Sequence, residues 1–254
     1  MSQTAKASQF ASLHVPGNPL VIYNAWDAGS AIAIAAAGAK AIGTGSWSVA
    51  AAQGYQDGQA LPLALLEQVA GRIVASVDLP VSIDFEGAYA EAPQEAAANV
   101  MRLIALGVVG INFEDQVVDR GDAVYPITDQ QARIDAIRTA ASTVLPDFFI
   151  NARTDLFLQA PADRHAGLVG EAIERGKAYK AAGASGFFVP GLADPGLIGT
   201  VCREVALPVN VMKSSGVPGH SELGALGVAR ISYGPGPYRK AMTELTRQAA
   251  DVFA

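Results

Sequence analysis

The chain has 254 residues, of which 50% are apolar and 17% charged, and its formal net charge is −6. This length supports one large core and is usual for a single α/β barrel, so we expect one domain spanning residues 1–254. The acidic balance, without a basic stripe, argues against nucleic acid as a partner.

The sequence also bears on the compartment. One cysteine, Cys202, excludes a disulfide framework and indicates a reducing environment. The segment from Met1 to Ser12 lacks the pattern of a signal peptide, and no uninterrupted apolar run reaches membrane-spanning length. We therefore expect a cytoplasmic protein without a membrane partner.

Eight short apolar runs, separated mostly by alanine-rich stretches of helical length, predict strands. They are Leu20–Tyr23, Ala41–Gly43, Val81–Asp84, Gly110–Phe113, Phe148–Asn151, Gly186–Val189, Val209–Met212 and Arg230–Ser232. Helices are predicted at Ala28–Ala37, Pro62–Val77, Pro93–Leu106, Asp129–Ser142, Leu168–Ala182, Pro195–Val205, Ser221–Leu226 and Pro237–Ala254. This alternation favours a single-domain (β/α)8 TIM barrel. An open doubly wound sheet is the alternative, but the glycine-rich phosphate turn expected of it is missing.

Polar residues stand where most strand runs end. They are Asn24 and Asp27, Ser46 and Ser48, Asp84 and Glu86, Glu114 and Asp115, Arg153 and Asp155, and Lys213 and Ser214. Each pair alone could be a helix cap or a turn. Because the carboxyl ends of barrel strands share one face, the full set predicts an active site on that rim.

Three acids on this rim predict a cation. Asp84 and Glu86 are two residues apart, so their side chains are expected on the same face of the strand, and Glu114 ends the neighbouring strand. Carboxylates this close raise one another's pKa unless a positive charge lies among them. An all-oxygen set suits Mg2+, or Mn2+. Salt bridges to Arg153 or Lys213, or a proton shared between two acids, are the structural alternatives.

Several segments resemble, in order, the isocitrate lyase and phosphoenolpyruvate mutase superfamily. The run Val81-Ser-Ile-Asp-Phe-Glu-Gly-Ala-Tyr-Ala90 is similar to the family's metal-binding strand, D-x-D-x-G-Y-G. Gly43-Thr-Gly-Ser-Trp-Ser48 with Gly54-Tyr-Gln-Asp57 resembles its second strand and loop. Gly110-Ile-Asn-Phe-Glu-Asp115 and Asn151-Ala-Arg-Thr-Asp155 are similar to the next acidic strand end and the arginine strand.

The resemblance implies roles for these residues. Asp84 would approach Mg2+ directly, while Asp57, Glu86 and Glu114 would hold it largely through bound water. Asp57, Glu114 and Arg153 would form the catalytic set.

The resemblance also implies a substrate and a reaction. The segment Gly45-Ser46-Trp47 would bind the carboxylate of a small 2-oxo acid through backbone amides, with help from Asp84 and Arg153. Cleavage beyond C3 would leave an enolate that the metal stabilises. The leading hypothesis is a Mg2+-dependent C–C lyase or decarboxylase acting on an oxaloacetate-like acid.

Departures from the family narrow this hypothesis. Glu86 replaces an aspartate, and Ala88 and Ala90 replace glycines. The gating segment, residues 115–125, lacks the K-[KR]-C-G-H sequence of isocitrate and methylisocitrate lyases. Cys202 lies in a predicted helix and is expected to be packed, so isocitrate lyase activity is disfavoured.

Three alternatives stay open. A phosphonopyruvate hydrolase or phosphoenolpyruvate mutase would need cationic or amide groups in the gating segment, which offers only Arg120, between Asp119 and Asp122. The mutase also has a histidine where this chain has Pro190. An aldolase could use Lys213 as a Schiff base. A non-catalytic barrel could only bind the 2-oxo acid.

Two further expectations concern the histidines and the assembly. His14 and His165 are expected on the solvated surface, and His220 at the start of a helix. In the family the last helix is commonly exchanged between subunits, which implies a homodimer or homotetramer. Met242, Leu245 and Val252 form an apolar stripe on that helix.

Overall fold

A computed structural model describes residues 1–118, 121 and 123–254 of the chain. Within these residues, eight parallel strands form a barrel with helices outside it. The strands are β1 (Leu20–Ile22), β2 (Ile42–Gly43), β3 (Val81–Asp84), β4 (Gly110–Glu114), β5 (Phe149–Arg153), β6 (Gly186–Phe188), β7 (Val209–Met212) and β8 (Arg230–Ser232). The predicted single-domain TIM barrel is confirmed as a fold.

The strands pair in the order β1-β8-β7-β6-β5-β4-β3-β2. The seam between β1 and β2 carries no strand ladder among the described residues. It is closed just beyond the strand ends, where Ala25 bridges to Thr44. The Ala25 N–H donates to the Gly43 carbonyl at 2.9 Å, and the Gly45 N–H donates to the Ala25 carbonyl at 3.3 Å.

The helices cover the outside of the barrel. They are α1 (Gln3–Ser12), α2 (Ala28–Ala36), α3 (Ser46–Ala52), α4 (Leu63–Ser76), α5 (Pro93–Ala105), α6 (Ile127–Ser142), α7 (His165–Ala181), α8 (Pro195–Glu204), α9 (His220–Ala225) and α10 (Gly236–Phe253). All eight predicted helices are present, and α1 and α3 were not predicted. None of the helices within the described residues has the length and apolar character to cross a membrane.

Local chemistry explains where several helices begin. Asp27 caps α2, because its side chain accepts from the Ser30 N–H at 2.7 Å while the Ser30 hydroxyl accepts from the Asp27 N–H at 3.0 Å. Asp194 caps α8 in a similar way, and Pro195 follows at the first helical position, where its missing N–H costs nothing. These caps place the loops that carry the rim residues.

Helix α1 seals the amino-terminal floor of the barrel. Phe10 packs edge-on against Phe149, and the His14 ring stacks on Phe149 at a centroid distance of 4.0 Å. His14 and His165 are 6% and 5% exposed, so the expectation of surface positions for both was wrong. Their aromatic neighbours, Phe149 and Phe157, bury them.

Helix α10 contrasts with the others because it packs poorly on its own barrel. Pro237 is its buried residue. Leu245, Val252 and Phe253 are 59%, 79% and 86% exposed. Val21 in β1 and Tyr23 just after this strand are also partly exposed.

Candidate active site

A cavity of about 310 Å³ opens at the carboxyl ends of the strands. Six of the predicted site residues line it, namely Gly45, Ser46, Trp47, Asp57, Asp84 and Arg153. Glu86 and Glu114 are buried just behind this lining. The structure therefore brings together the eight predicted site residues, whereas Asp27, Ser48, Lys213 and Ser214 of the rim pattern do not line the cavity.

Asp84 is the best-oriented acid. It ends β3, and its Oδ2 accepts from the Ser46 N–H at 2.9 Å. Its Oδ1 accepts from the Asn112 Nδ2 at 3.2 Å, and Asn112 in turn accepts from the Asn151 Nδ2 at 2.9 Å. This row of amides crosses three neighbouring strands and fixes the carboxylate in one orientation.

Glu86 is held by a strained turn. Its φ is +50°, in the left-handed region that disfavours side chains with a Cβ. Its Oε2 accepts from the backbone N–H groups of Gly58 at 2.9 Å and Gln59 at 2.7 Å. Burial first, and then the negative charge of Asp57, raise the pKa of Glu86 to about 7.

Glu114 and Arg153 form a buried ion pair, with Glu114 Oε2 and Arg153 Nη1 3.0 Å apart. Burial raises the pKa of Glu114 above its usual range, and Arg153 opposes that shift. Asp155 occupies the other edge of the guanidinium, accepting from Nε at 2.5 Å and from Nη2 at 2.9 Å. Arg153 Nη1 also lies 3.9 Å from Asp84 Oδ1.

This arrangement alters the expected role of Arg153. The predicted bidentate contact with a substrate carboxylate needs two parallel N–H groups. Asp155 already occupies the Nε–Nη2 edge, and Glu114 shares Nη1. In this state Arg153 organises the acids of the site, and a ligand could reach only the end of the guanidinium that Asp155 and Glu114 leave free.

Asp57 lies in the loop after α3 and completes the acidic wall. The residue as a whole is exposed, while it also lines the cavity. Loss of water around the carboxyl, followed by the charge of Asp84, raises the pKa of Asp57. The positive charge of Arg153 opposes this rise but does not cancel it.

The acids outnumber the cations that act on them. The five carboxylates are Asp57, Asp84, Glu86, Glu114 and Asp155, and the three guanidinium groups are Arg133, Arg153 and Arg230. A hard divalent cation would relieve this excess. Among the described residues, no three His, Cys, Asp or Glu side chains come close enough to bind one ion directly. The site therefore fits an ion bound by few carboxylates and several waters, as Mg2+ prefers.

Among the backbone N–H groups predicted to bind the substrate carboxylate, one is already hydrogen-bonded to an acid of the site. The Ser46 N–H already donates to Asp84. Trp47 follows at the start of α3, and its N–H has no acceptor within the described part of the chain. An apolar wall of Leu158, Phe188, Pro190 and Met212 faces these groups across the cavity. A ligand with one anionic end and a short carbon chain would match this lining.

Three other groups considered in the sequence lie away from the cavity. The Lys213 ammonium donates to the carbonyls of Val217 and Pro218 in its own loop, and it is not among the lining residues. His220 begins α9, as predicted, with Nε2 2.9 Å from the Tyr233 hydroxyl. Cys202 is partly buried in α8, and burial raises its thiol pKa to about 11, as expected of a packed cysteine.

The base of the gating segment is a narrow hairpin. The Tyr125 N–H donates to the Asp115 carbonyl at 2.8 Å, and the Val117 N–H donates to the Ala123 carbonyl at 2.8 Å. The Asp115 carboxylate anchors this base, because it accepts from the Tyr179 hydroxyl at 2.7 Å and from Arg175 at 3.2 Å. Arg120, Asp119 and Asp122, on which the phosphonate argument depended, lie outside the described residues.

Asn112 and Arg239 are among the cavity residues that the sequence analysis did not single out. Asn112 has the inward alternation of β4, two residues before Glu114, which could have identified it. Arg239 comes from the first turn of α10 and lines the cavity mouth. No sequence signal connects Arg239 to the rim, because the contact arises when the chain closes the barrel.

Comparison with known proteins agrees with the fold. The sequence model of the phosphoenolpyruvate phosphomutase family matches residues 10–253. An uncharacterized protein of Mycobacterium tuberculosis is 36% identical over 230 residues, which are 90% of this chain and 83% of that protein. The 2-methylisocitrate lyase of Escherichia coli is 30% identical over 216 residues, covering 78% of this chain and 70% of the lyase.

A solved structure is also similar. The crystal structure of a Burkholderia cenocepacia protein, provisionally named a phosphonomutase, superimposes with a TM-score of 0.95 at 44% identity. It covers 98% of this chain and 99% of that protein. Fold and site together define a (β/α)8 barrel with an acidic rim. The chain belongs to the phosphoenolpyruvate phosphomutase family, within the isocitrate lyase and phosphoenolpyruvate mutase superfamily.

Proposed function

We propose that this protein is a Mg2+-dependent lyase or decarboxylase that breaks a C–C bond of a small, oxaloacetate-like 2-oxo acid. The observation that carries the proposal is the excess of carboxylates around Asp84, beside a cavity whose other walls offer an amide and apolar side chains. Relatives with named activities include lyases, which supports an enzyme of that class.

Each side chain has a task in this proposal. Asp84 would bind the ion directly, with Asp57, Glu86 and Glu114 holding its waters. The Trp47 N–H would receive the substrate carboxylate, and Arg153 would hold Glu114 and Asp84 in place through Nη1. When bound, Mg2+ supplies the positive charge that stabilises an enolate oxygen. Phe188, Met212 and the other apolar lining residues exclude water from the carbon chain.

The test is a substrate panel. Oxaloacetate and 3-substituted relatives should turn over with Mg2+, and EDTA should remove the activity until Mg2+ is added back. Phosphonopyruvate should show a kcat/KM at least about tenfold lower, because the leaving CO2 is neutral whereas a phosphonyl dianion needs cations to bind it. A phosphonopyruvate value tenfold higher, lost in Arg120→Ala, would favour a P–C bond enzyme instead.

The remaining alternatives have distinct signatures. Borohydride trapping of Lys213 with substrate, together with full activity in EDTA, would indicate a Schiff-base aldolase. Binding of 2-oxo acids without turnover of any panel member would indicate a sensor. Both outcomes would overturn the lyase proposal.

We also propose that the protein assembles as a homodimer or homotetramer through α10. The apolar residues exposed on α10 have no partner barrel surface within the described chain. A groove of about 740 Å³, lined by Val21, Tyr23, Ile34 and neighbouring residues, lies open beside β1 and α2. An exchanged α10 from a second copy would cover such a groove. We also propose a cytoplasmic location for the protein.

Light scattering after gel filtration checks the assembly. The wild-type protein should elute as a dimer or tetramer, and Leu245→Lys with Val252→Lys should shift it toward monomer. Lys240→Glu on the same helix is the matched control, because its side chain is already exposed. A monomeric wild type would refute the assembly proposal and leave the chemical one standing.

A further inference from the structure

The turn after β3, residues 86–89, has a strained backbone at three of its four positions. Glu86, Ala88 and Tyr89 have φ angles of +50°, +61° and +55°, in the left-handed region that disfavours side chains with a Cβ. Glycine adopts such angles readily, but this chain has Ala88 where the family pattern has a glycine. Because Glu86 begins the turn, whatever holds the turn in this conformation also fixes the position of Glu86.

Two buried side chains from the surrounding helices hold this turn. Arg133 in α6 is 2% exposed, and its Nη2 donates to the carbonyls of Gly87 at 2.6 Å and Ala90 at 2.8 Å. Asn99 in α5 donates through Nδ2 to the Ala88 carbonyl at 3.0 Å. These carbonyls meet their donors in the left-handed conformation, so the three bonds offset its strain.

The same guanidinium reaches the neighbouring acidic strand. Arg133 Nη1 donates to Gln130 Oε1 at 2.6 Å, and Gln130 Nε2 donates to the Glu114 carbonyl at 3.0 Å. The Arg133 Cζ lies 4.7 Å from the centroid of the Phe113 ring and 4.3 Å from that of Tyr125. Contact with two rings leaves the buried guanidinium little freedom, so it ties the turn after β3 to the end of β4.

We propose that Arg133 is a positioning residue of the metal site, which holds the backbone turn that places Glu86. The inference rests on the proposed function for the identity of the ion. Arg133 is not among the residues that line the active-site cavity, and its three bonds go to uncharged oxygens. It therefore acts on the ion through the main chain rather than by contact.

Positioning and charge predict opposite changes in metal affinity, which makes the sign of the change informative. Loss of a nearby cation alone would tighten the binding of Mg2+. Release of the turn would instead let Glu86 move away from the waters of the ion. Arg133→Met keeps the apolar stem and removes the donors, so it should weaken the binding of Mg2+ alone about tenfold in calorimetry. Arg133→Lys can still donate to one of the carbonyls and should lose less.

A glycine in the turn should rescue the variant. In Ala88→Gly the backbone adopts the positive φ without support from Arg133. The double variant Arg133→Met with Ala88→Gly should therefore bind Mg2+ at least about threefold more tightly than Arg133→Met. Ala88→Gly alone should stay within about twofold of the wild type.

Arg138→Met is the matched control on the same helix. Arg138 also donates to backbone carbonyls, those of Gly183, Pro146 and Phe148, but at the end of the barrel away from the acids. Its replacement should lower the free energy of unfolding, as Arg133→Met does, and leave the affinity for Mg2+ unchanged.

Amide hydrogen exchange gives a second readout that needs no metal. The N–H groups of Gly58 and Gln59 donate to Glu86 Oε2. If Arg133→Met releases Glu86, these two amides should exchange at least about tenfold faster than in the wild type. In Arg138→Met they should exchange at the wild-type rate.

The outcomes separate this inference from the proposed function. Unchanged or tighter binding of Mg2+ by folded Arg133→Met, or amides of Gly58 and Gln59 that stay protected in it, would overturn the role of Arg133. If Arg133→Met does not fold, Arg133→Lys with and without Ala88→Gly decides the question by the same measurements. If both amides exchange faster but no 2-oxo acid turns over, Arg133 keeps its role and the proposed reaction is wrong.

Discussion

The two ends of the barrel handle buried charge in different ways. At the carboxyl-terminal rim, acids that repel one another surround one arginine and lie beside an open cavity. At the amino-terminal floor, His14 and Arg230 are buried beneath α1, where Phe10 packs against both. Burial lowers the pKa of His14 to about 3 and that of Arg230 to about 10.

This difference indicates that the rim serves ligand binding, whereas the floor serves the stability of the fold. Repulsion at the rim is tolerable only if a ligand relieves it, so rim residues are retained at a cost to the folded state. At the floor, burial disfavours the charged forms of His14 and Arg230, and the Phe10 carbonyl beside His14 and the charge of Asp84 acting on Arg230 offset this only in part. Substitutions at the rim should therefore change activity more than stability, and substitutions at the floor should do the reverse.

The largest effect is expected for Asp84→Asn at the rim. Loss of the carboxylate that contacts the cation should lower kcat/KM more than about 100-fold and abolish Mg2+-dependent ligand binding. The melting temperature should hold or rise, because one of the repelling acids is gone. Asp78→Asn, an exposed floor residue paired with Lys6, is the control and should change neither quantity. Full activity of Asp84→Asn would show that the acidic rim is not a metal site.

Substitution of Arg153 should lower both activity and stability, because this side chain lines the cavity and also pairs with the buried acids Glu114 and Asp155. Arg153→Ala leaves Glu114 and Asp155 buried without their partner, which should cost about 2–5 kcal/mol of unfolding free energy and lower kcat/KM. Arg153→Lys should restore only part of each, since an ammonium cannot offer the parallel fork. Kinetics and urea unfolding measured on both variants check this. Unchanged kinetics with reduced stability would make Arg153 purely structural.

The floor should show a pH dependence of stability that comes from His14. Its folded pKa, about 3, lies below the unfolded value, so the unfolded chain binds the proton more readily. The stabilisation is complete above about pH 6.5 and is lost as the pH falls. The loss of unfolding free energy reaches about 2 kcal/mol at pH 5. His14→Phe should flatten the unfolding free energy between pH 7 and 5 by that amount while leaving kcat/KM at pH 7 unchanged. An identical slope in the variant would refute this account.

The smallest effect is expected in the rim loop that holds Glu86. Gln59 has φ +61°, and its buried Oε1 has no hydrogen-bond partner. Gln59→Gly removes both the side chain that disfavours this dihedral angle and the unpaired amide oxygen, while it keeps the N–H that binds Glu86. The unfolding free energy should therefore rise by about 0.5–1 kcal/mol with unchanged enzyme kinetics. A lower stability would mean that the Gln59 side chain packs more favourably than its dihedral angle costs.

The sequence predicted the rim better than the floor, for a physical reason. Strand ends bring polar residues such as Asp84 and Glu114 together through local alternation and parallel order alone. The burial of His14 depends on Phe149, which lies far along the chain, and no local pattern records that contact. Helix α1 had a signal in Ser2, whose hydroxyl accepts from the Ala5 N–H at 3.2 Å, but its apolar face is short.

The closure between β1 and β2 has a consequence for dynamics. Apart from the Ala25 bridge, Asn24 is the main link across this seam within the described chain. Its Nδ2 donates to the Thr44 carbonyl at 2.7 Å, and its Oδ1 accepts from the N–H groups of Tyr233 and Gly234. Local opening of the barrel should begin where so few bonds must break, so amide hydrogen exchange should be faster along β1 and β2 than along β4 and β5. The start of α3, which carries Trp47, would then fluctuate with the seam, on a timescale separate from that of the rigid acidic strands.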